Sequence, residues 1–151
     1  MRPTDTPQNP LHLSLKYLSI RARSIKELHD YLLKKGFADL EISQTIKQLK
    51  GLKFLNDENF AKSFIESRQR KGKSKQSIAF ELKLKGIDKD QSESILGDAN
   101  DDLNTAMEYI GKRLHQFDRF EKVVRQKKII SRLQSRGFNW DIISKVLKEL
   151  Q

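Results

Sequence analysis

A pattern of glycines and apolar residues recurs three times along this 151-residue chain. Gly36, Gly86 and Gly137 are 50 and 51 residues apart, and each lies between a basic residue and a large apolar one. Apolar residues also recur four and eight residues before each glycine and ten residues after it. Agreement at five offsets in three copies is hard to attribute to chance. The chain is therefore predicted to repeat one structural unit three times.

Each unit is predicted to be helical. The three prolines all lie within the first ten residues, so no proline interrupts the chain from Leu11 onward. Apolar residues recur at spacings of three and four, whereas strand-like alternation is rare and no Asn-Gly or Asp-Gly hairpin turn occurs. These features predict an all-α fold of three tandem three-helix repeats, each resembling a helix-turn-helix, in an elongated arrangement.

The glycines also predict how each unit is built. A glycine directly after a helix adopts the left-handed conformation at little cost, and the apolar residue that follows packs on the last turn. Ser24 and Ser74, twelve residues before their glycines, are predicted N-caps, and Glu27 completes a capping box with Ser24. The predicted caps of the third helices are Asp39, Asp88 and Asn139. The predicted boundaries are 1–10 for a disordered tail and 11–54, 56–99 and 101–151 for the three repeats.

Charge and cysteine content narrow the class of protein. The chain has 30 Lys and Arg residues against 20 Asp and Glu residues, a net charge of +10, and no cysteine. The lack of cysteine excludes a disulfide framework and a thiolate zinc site, and it fits a reducing cytoplasm. No apolar run exceeds three residues and no secretory signal is recognisable, so we expect a cytoplasmic protein without a membrane span. The net charge predicts a polyanionic partner.

Nothing in the sequence predicts catalysis, a metal or a cofactor. The three histidines are far apart, and none has a second ligand at helical spacing. The acidic pairs Asp57-Glu58 and Asp101-Asp102 lie at predicted helix starts, where capping explains them better than Mg²⁺ ligation. Neither a phosphate-binding glycine loop nor a nucleophile elbow occurs. We therefore expect a protein that is not an enzyme.

Several stretches of the repeats match the pattern of a known family. In the first repeat they are Arg21-Ala-Arg-Ser24, Glu27-Leu28, Leu32 and Gly36-Phe37. From the junction through the second repeat they are Phe54-Leu-Asn-Asp57, Phe60-Ala61, Ser67-Arg68, Lys71-Gly-Lys73, Ile78, Glu81-Leu82 and Lys85-Gly-Ile87. The third repeat matches more loosely, through Leu133, Arg136-Gly-Phe138, Ile143 and Leu147. Through these residues the chain resembles the RecX family, the regulators of the RecA recombinase, over about residues 11–150. The third repeat has no serine at the position of Ser24, which leaves the start of its second helix open.

The resemblance implies both partners and an activity. The resemblance implies a cytoplasmic, non-enzymatic regulator that binds RecA filaments along their helical groove and suppresses filament growth, strand exchange and coprotease activity. Affinity for DNA is also implied. The partners expected for this chain are a RecA–DNA filament and the backbone of single- and double-stranded DNA without sequence preference, engaged by a monomer. The sequence leaves open whether the protein caps filament ends, binds in the groove or removes subunits. It also leaves open whether the effect on the recombinase is inhibition or stimulation.

Basic residues are concentrated in two stretches of the chain. Residues 68–75 hold five cations and no acid, and residues 119–136 hold seven cations against one acid. Either stretch alone is compatible with a solvated helix face, but two together favour salt-dependent contact with phosphates. The candidate residues for contact with nucleic acid or filament are Arg21, Arg23, Arg68, Arg70, Lys71, Lys73, Lys75, Arg125, Lys128, Arg132 and Arg136.

The alternative interpretation is a tandem helix-turn-helix protein that binds DNA as an architectural or regulatory factor. In such a protein the third helix of a unit would enter the major groove. Here the third helices are predicted to begin with carboxylates, such as Asp39, Asp88 and Asp141, which would meet phosphates with the wrong sign. We therefore expect contact with the DNA backbone rather than with bases. Among the aromatic residues, core packing is favoured over a partner-facing position for Trp140.

Overall fold

The computed structural model describes residues 9–97 and 101–150, and every regular element in these two ranges is a helix. The helices in chain order are α1 (Pro10–Ile20), α2 (Ile25–Lys34), α3 (Asp39–Gly51), α4 (Asp57–Arg70), α5 (Lys75–Leu84), α6 (Lys89–Leu96), α7 (Asp102–Gly111), a short 3₁₀ helix (Leu114–Gln116), α8 (Lys122–Ser135) and α9 (Trp140–Glu149). The prediction of an all-α fold with three helices in each repeat is confirmed. None of the described helices is long and apolar enough to cross a membrane.

The chain forms two compact units. The first extends to Phe60 and includes Lys85–Ile87, and the second comprises Ala61–Leu84 and the chain from Asp88 onward. The first repeat therefore belongs to the first unit and the third repeat to the second unit, while the second repeat is divided between them. The tail predicted for residues 1–10 lies outside the described residues except for Asn9, which caps α1, and Pro10, which begins it.

The apolar residues that recur in the sequence form the cores of these units. Leu28 and Leu32, eight and four residues before the first glycine, are fully buried, and so are Ile78 and Leu82 at the same offsets in the second repeat. In the third repeat Leu133 is fully buried as well. The second unit has the larger described cluster, made of Ala106, Tyr109, Ile110, Phe117, Ile129, Leu133, Phe138, Ile143 and Val146. The repeated spacing therefore reports core positions, as helical periodicity predicts.

The predicted glycine turns are present in all three repeats. Gly36, Gly86 and Gly137 have φ angles of 92°, 84° and 90°, in the left-handed region. The residue after the glycine closes the helix end: Phe37 N–H donates to Leu32 O at 3.3 Å, and the equivalent bond in the third repeat is 3.2 Å. This is the pattern of a Schellman C-cap, in which glycine avoids the cost that a Cβ would impose.

The predicted helix caps are confirmed with one exception. Ser24 and Glu27 form the predicted capping box, and Ser74 Oγ accepts a bond from Ser77 N–H at 3.1 Å. Asp88 and Asn139 cap the third helices of their repeats. The prediction for Asp39 is wrong, because Ala38 holds the cap position without a side-chain bond and Asp39 is the first helical residue. A carboxylate in the first turn still stabilises the helix through its dipole.

Acidic residues at two helix starts connect one repeat to the next. Asp57 Oδ1, in the first unit, accepts a hydrogen bond from Ile25 N–H at 2.8 Å. Asp102 Oδ1, in the second unit, accepts the equivalent bond from Lys75 N–H at 2.9 Å. Each carboxylate thus satisfies the first amide of the preceding repeat's second helix, a group that has no partner within its own helix. Burial raises the pKa of Asp57 in spite of this bond and of the nearby Lys50 charge.

The glycines of the second and third repeats also allow a close approach to the preceding repeat. A Cβ on Gly86 would lie 2.6 Å from Lys26 Cβ in the first unit. A Cβ on Gly137 would lie 2.5 Å from Ser74 Oγ in the second unit, where Ser74 N–H donates to Arg136 O at 3.0 Å. Around a Cβ on Gly36, in the first repeat, no atom of the described residues lies within 4 Å. Two of the three glycines are therefore required for packing as well as for their φ angle.

Glu27 connects the capping box of α2 to charged residues on both sides. Its carboxylate accepts hydrogen bonds from Arg21, from Ser24 N–H at 3.2 Å and from Lys85 Nζ at 3.3 Å. Burial would by itself raise the pKa of Glu27, but the hydrogen bonds from Arg21 and Ser24 and the charges of Arg21 and Lys85 together hold that pKa below its ordinary value. The ionised form of Glu27 is therefore stabilised in the folded state.

The difference in surroundings between the glycines predicts a difference in stability between two alanine variants. Gly36→Ala is expected to lower the unfolding free energy by about 1 kcal/mol, because alanine is strained at a left-handed φ and has no other clash there. Gly137→Ala adds an overlap with Ser74 and disturbs the cap of α5, so its loss is expected to reach roughly 3 kcal/mol. Urea unfolding of both variants and of the parent protein measures this difference, and equal losses would contradict the packing role.

The low pKa of Glu27 predicts a pH-dependent stability. Because the folded-state pKa is below the unfolded one, its contribution is present above the ordinary Glu pKa and is lost as the pH falls through the folded value. Glu27→Gln is expected to lose about 1–2 kcal/mol of unfolding free energy at pH 7, and this loss should shrink progressively as the pH falls below the ordinary Glu pKa. The control is Glu93→Gln, whose exposed pair with Lys89 should give no such pH dependence. A loss that stays constant with pH would show that ionisation of Glu27 is not its cause.

Candidate nucleic-acid interface

Carboxylates engage three of the cations predicted to contact nucleic acid. Arg21 pairs with Glu27, as described above. Arg68 Nε and Lys73 Nζ share the carboxylate of Glu81, at 3.2 and 3.0 Å. The side chains of Arg68 and Lys73 are partly buried, whereas that of Arg21 is exposed. All three have a carboxylate acceptor in the folded protein, so their charges are already partly compensated. They contribute less to an attractive field than their number in the sequence indicates.

An aromatic stack holds Arg23 in the first unit. Its guanidinium carbon lies 3.9 Å from the ring centre of Tyr17, which stacks on Tyr31 at 4.0 Å with 3° between the ring planes. Lys35 lies 5.6 Å from the centre of the Tyr31 ring. The Arg23 Nε atom is buried, and it has no hydrogen-bond partner among residues 9–97 and 101–150. Arg23 therefore packs on the tyrosine stack that joins α1 to α2, and its guanidinium is less available than that of an exposed arginine.

The two basic stretches of the sequence meet in the second unit. Ser74 N–H donates to Arg136 O at 3.0 Å, which joins the end of stretch 68–75 to the end of stretch 119–136. Arg70 lines a cavity of about 220 Å³ between α4 and α7 together with Arg113 and Tyr109. Lys71 is exposed at the C-terminus of α4, and Lys75 is the half-buried first residue of α5. Residues about 60 positions apart in sequence thus contribute to one basic region.

The centre of this region is the buried ring of Tyr109, which is 3% exposed. The guanidinium groups of Arg113 and Arg136 lie 3.9 and 4.4 Å from its centre, and Arg132 Nη1 donates to the Tyr109 hydroxyl at 3.4 Å. Burial would raise the pKa of Tyr109, but hydrogen bonds and positive charge from Arg132 and Arg136 outweigh it and lower that pKa. The positions of Arg132 and Arg136 therefore place a positive potential at this hydroxyl.

Two further rings hold cations nearby. Arg119 and Lys128 lie 4.8 and 4.5 Å from the centre of Phe120, and Arg132 lies 5.8 Å from that of Phe117. We call the cations Arg113, Arg119, Lys128, Arg132 and Arg136, with the rings of Tyr109, Phe117 and Phe120, the third-repeat cluster. None of its five cations forms an ion pair with a carboxylate in residues 9–97 and 101–150.

The way these cations are held decides what they can bind. A carboxylate neutralises a cation and occupies its N–H donors, whereas an aromatic face positions the cation and leaves most donors free. The third-repeat cluster therefore keeps its positive charge available for an anion. Phosphate groups are the anions that such clustered arginine and lysine side chains bind best.

Other predicted residues fall outside this cluster. Arg125 is half-buried on α8 and lines a separate cavity with Lys122, Ile129 and Leu147. The expectation that Trp140 packs in the core is wrong, because its side chain is 59% exposed at the first position of α9. Arg113 and Arg119 were not among the predicted contact residues. The signal that could have found them is the alternation of cations with aromatic residues between Tyr109 and Arg136.

Acidic groups surround the starts of the third helices. Asp39 and Glu41 lie in the first turn of α3, Asp90 in that of α6 and Asp141 in that of α9. A groove-reading helix would present these carboxylates to the phosphates on both sides of the groove. The placement therefore favours contact through the cations around α8 rather than through α3, α6 or α9. No group of three or more metal-ligating side chains occurs within the described part of the chain.

Comparison with known proteins matches all three repeats. Family models described as the first, second and third three-helix domains of RecX match residues 11–49, 56–96 and 100–147. The regulatory protein RecX of Bacillus licheniformis is 36% identical over 139 residues, and the match covers 90% of this chain and 53% of that protein. The regulatory protein RecX of Prosthecochloris aestuarii is 32% identical, with 99% of this chain and 98% of that protein covered.

A solved structure agrees with these matches. The crystal structure of RecX from Lactobacillus salivarius is 28% identical and superposes with a TM-score of 0.76, covering 93% of this chain and 94% of that one. The chain spans about half the length of several curated relatives, including the Bacillus licheniformis protein, and nearly the full length of others. The looser third repeat is matched along with the first two.

The two ways of holding cations predict different effects on DNA binding. Lys128→Gln removes a charge that has no carboxylate partner, so single-stranded DNA should bind more weakly and the slope of log K against log salt should fall by about 0.7. Lys73→Gln also removes one charge, but one that Glu81 already compensates, and is expected to change the slope by less than half as much. Anisotropy titrations at four salt concentrations measure both slopes. Equal salt slopes for Lys128→Gln and Lys73→Gln would contradict the claim that pairing with Glu81 reduces the contribution of Lys73 to DNA binding.

Proposed function

The chain belongs to the RecX family of regulatory proteins, and on that premise we propose that it regulates a RecA-type recombinase by binding recombinase–DNA filaments. The expected effect is inhibitory: slower filament assembly, less strand exchange and less coprotease activity. The protein binds as a monomer in the cytoplasm and carries out no catalysis. The single observation that supports contact with the DNA of the filament is the third-repeat cluster, whose five cations have no carboxylate partner among the described residues.

A second surface supports contact with the protein component of the filament. Phe80 and Leu84 are four residues apart on α5 and are 63% and 61% exposed. An exposed aromatic–aliphatic pair at this spacing lies on one helix face and is typical of an anchor for a partner protein. The second unit thus carries an apolar face on α5 and a cationic surface around α8. Together they suit a partner made of protein and nucleic acid better than either component alone.

A contact with the DNA backbone also explains how one surface can act on any sequence. The recombinase must work on all sequences, so a regulator that read bases would act only at certain sites. Phosphate contacts give register and affinity without sequence information. The cations on and around α8 provide such contacts, whereas the carboxylates at the starts of α3, α6 and α9 oppose groove entry.

The alternative function is that of a tandem helix-turn-helix protein that organises or regulates DNA directly. The observation in its favour is the form of each repeat, in which a glycine turn joins the second and third helices. The acidic starts of the third helices count against it, since these helices would carry the base contacts. The two functions differ in which target binds more tightly.

A comparison of three targets tests the proposal. Labelled single-stranded DNA, duplex DNA and preformed recombinase–DNA filaments are titrated with the protein at physiological salt. We expect filaments to bind at least about tenfold more tightly than either naked DNA, because two modest contacts act together. Tighter binding to naked duplex, with a preference for certain base sequences, would support the alternative function instead.

Two variants separate the protein contact from the DNA contact. Phe80→Ser should weaken filament binding by about tenfold, the effect of losing an anchor of roughly 1–2 kcal/mol, and should leave naked DNA binding unchanged. Lys128→Gln should weaken both. Strand-exchange assays with the same proteins show whether inhibition follows filament binding. Loss of naked DNA binding in Phe80→Ser would contradict the assignment of α5 to the recombinase.

A further inference from the structure

One part of the third repeat has no counterpart in the other two. Four residues separate the first and second helices in the first repeat, between Ile20 and Ile25, and in the second, between Arg70 and Lys75. Ten residues separate them in the third repeat, from 112 to 121. The longer connection contains the 3₁₀ helix and Phe117, Arg119 and Phe120. Because the three-helix fold forms without it in two repeats, the fold itself does not require this connection.

The longer connection forms a cavity with the outer face of α8. The cavity measures about 370 Å³, and its lining includes Phe120 and the cations Arg119, Lys128 and Arg132. Ser131 and Ser135 line it from α8, and its lining within the described parts of the chain includes no acidic side chain. In the second repeat the positions equivalent to these serines hold Phe80 and Leu84. The cavity is therefore a feature of the third repeat alone among the described repeats.

The cations of the cavity are positioned without being neutralised. Phe120 holds Arg119 and Lys128 over its ring, while Phe117 and the Tyr109 hydroxyl hold Arg132. Ser135 Oγ donates to Arg132 O at 2.7 Å, which leaves its lone pairs free, and Ser131 is exposed. Three cations beside two hydroxyl groups suit a phosphate that carries a sugar or a base. The cations can form charge-assisted hydrogen bonds with the phosphate oxygens, and the hydroxyl groups can form neutral hydrogen bonds with the sugar or base.

We propose that this cavity binds one nucleotide of an unpaired nucleic-acid strand, with its phosphate among Arg119, Lys128 and Arg132. The inference rests on the proposed function, because it specifies whether the same basic surface binds an unpaired strand or a duplex. The cavity is open to solvent, and its volume is at the lower end of the range of small-molecule sites, about 300–1,000 Å³. In a duplex the bases are paired inside the helix and only the phosphate ridge reaches a surface. An unpaired strand can insert a whole nucleotide, so the cavity distinguishes the two forms by shape.

The decisive variant leaves the net charge unchanged. Phe120→Leu removes the ring that positions Arg119 and Lys128, and it is expected to weaken binding of a labelled oligo-dT strand by about tenfold. Binding of a duplex of the same length should change by less than about twofold, since the diffuse positive field persists. Trp140→Leu, at an exposed aromatic residue of the same unit outside the cavity, is the matched control and should leave oligo-dT binding unchanged.

A second variant keeps the test valid if Phe120→Leu fails to fold. Ser131→Trp fills the cavity from an exposed position of α8 without altering charge or core, and it should produce the same selective loss. Circular dichroism confirms that each variant is folded. Equal losses for oligo-dT and duplex, or no loss for either in a folded Ser131→Trp, would overturn the proposal.

Competition identifies the source of the phosphate. ATP and inorganic pyrophosphate are added to the oligo-dT complex, and neither should displace it below millimolar concentration if the site takes a strand. Displacement by ATP at micromolar concentration would overturn the strand assignment in favour of a free nucleotide. The assay contains no recombinase, so its outcome is independent of whether the protein inhibits filaments.

Discussion

The contact on which the rest of the structure depends is that between a glycine turn and the capped start of an earlier helix. Gly137 packs against Ser74, the cap of α5, and Gly86 packs against Lys26 in the first turn of α2. In each case an acidic residue from a helix start also bonds to the first amide of the same helix. A small three-helix unit cannot bury enough apolar surface alone. The glycine contact lets the next repeat approach the earlier helix closely, because a Cβ at either glycine would lie within 2.6 Å of that helix's residues.

Function depends on a second physical constraint, the choice of partner for each cation. The surplus of positive charge is a property of the whole chain, yet the structure divides it into two classes. Arg21, Arg68 and Lys73 have carboxylate acceptors and stabilise the fold. The cations of the third-repeat cluster have aromatic partners and stay available. Aromatic rings thus perform here what carboxylates cannot, because they fix a cation without cancelling it.

The three repeats share a core and differ on their outer faces. The positions four and eight residues before each glycine are apolar and buried throughout, since the packing of three helices requires them. The positions six and two residues before the glycine face outward, and they hold Asp30 and Lys34, Phe80 and Leu84, or Ser131 and Ser135. The same helix face is therefore charged, apolar or cavity-lining according to the repeat. The repeated core residues thus give the three repeats the same fold, and the different residues at these outer positions give them different surfaces.

The sequence by itself determined the features that depend on local chemistry. The spacing of Leu28, Leu32 and Gly36, repeated twice more, predicts the helices, their C-caps and the core, because helical periodicity and the left-handed preference of glycine act within a few residues. The capping box of Ser24 and Glu27 follows for the same reason. The tertiary structure alone decided the pairing of the cations, the exposure of Trp140 and the joining of Ser74 to Arg136. Those outcomes depend on which side chains meet after the helices pack, and the local spacing of residues in the sequence does not specify these contacts.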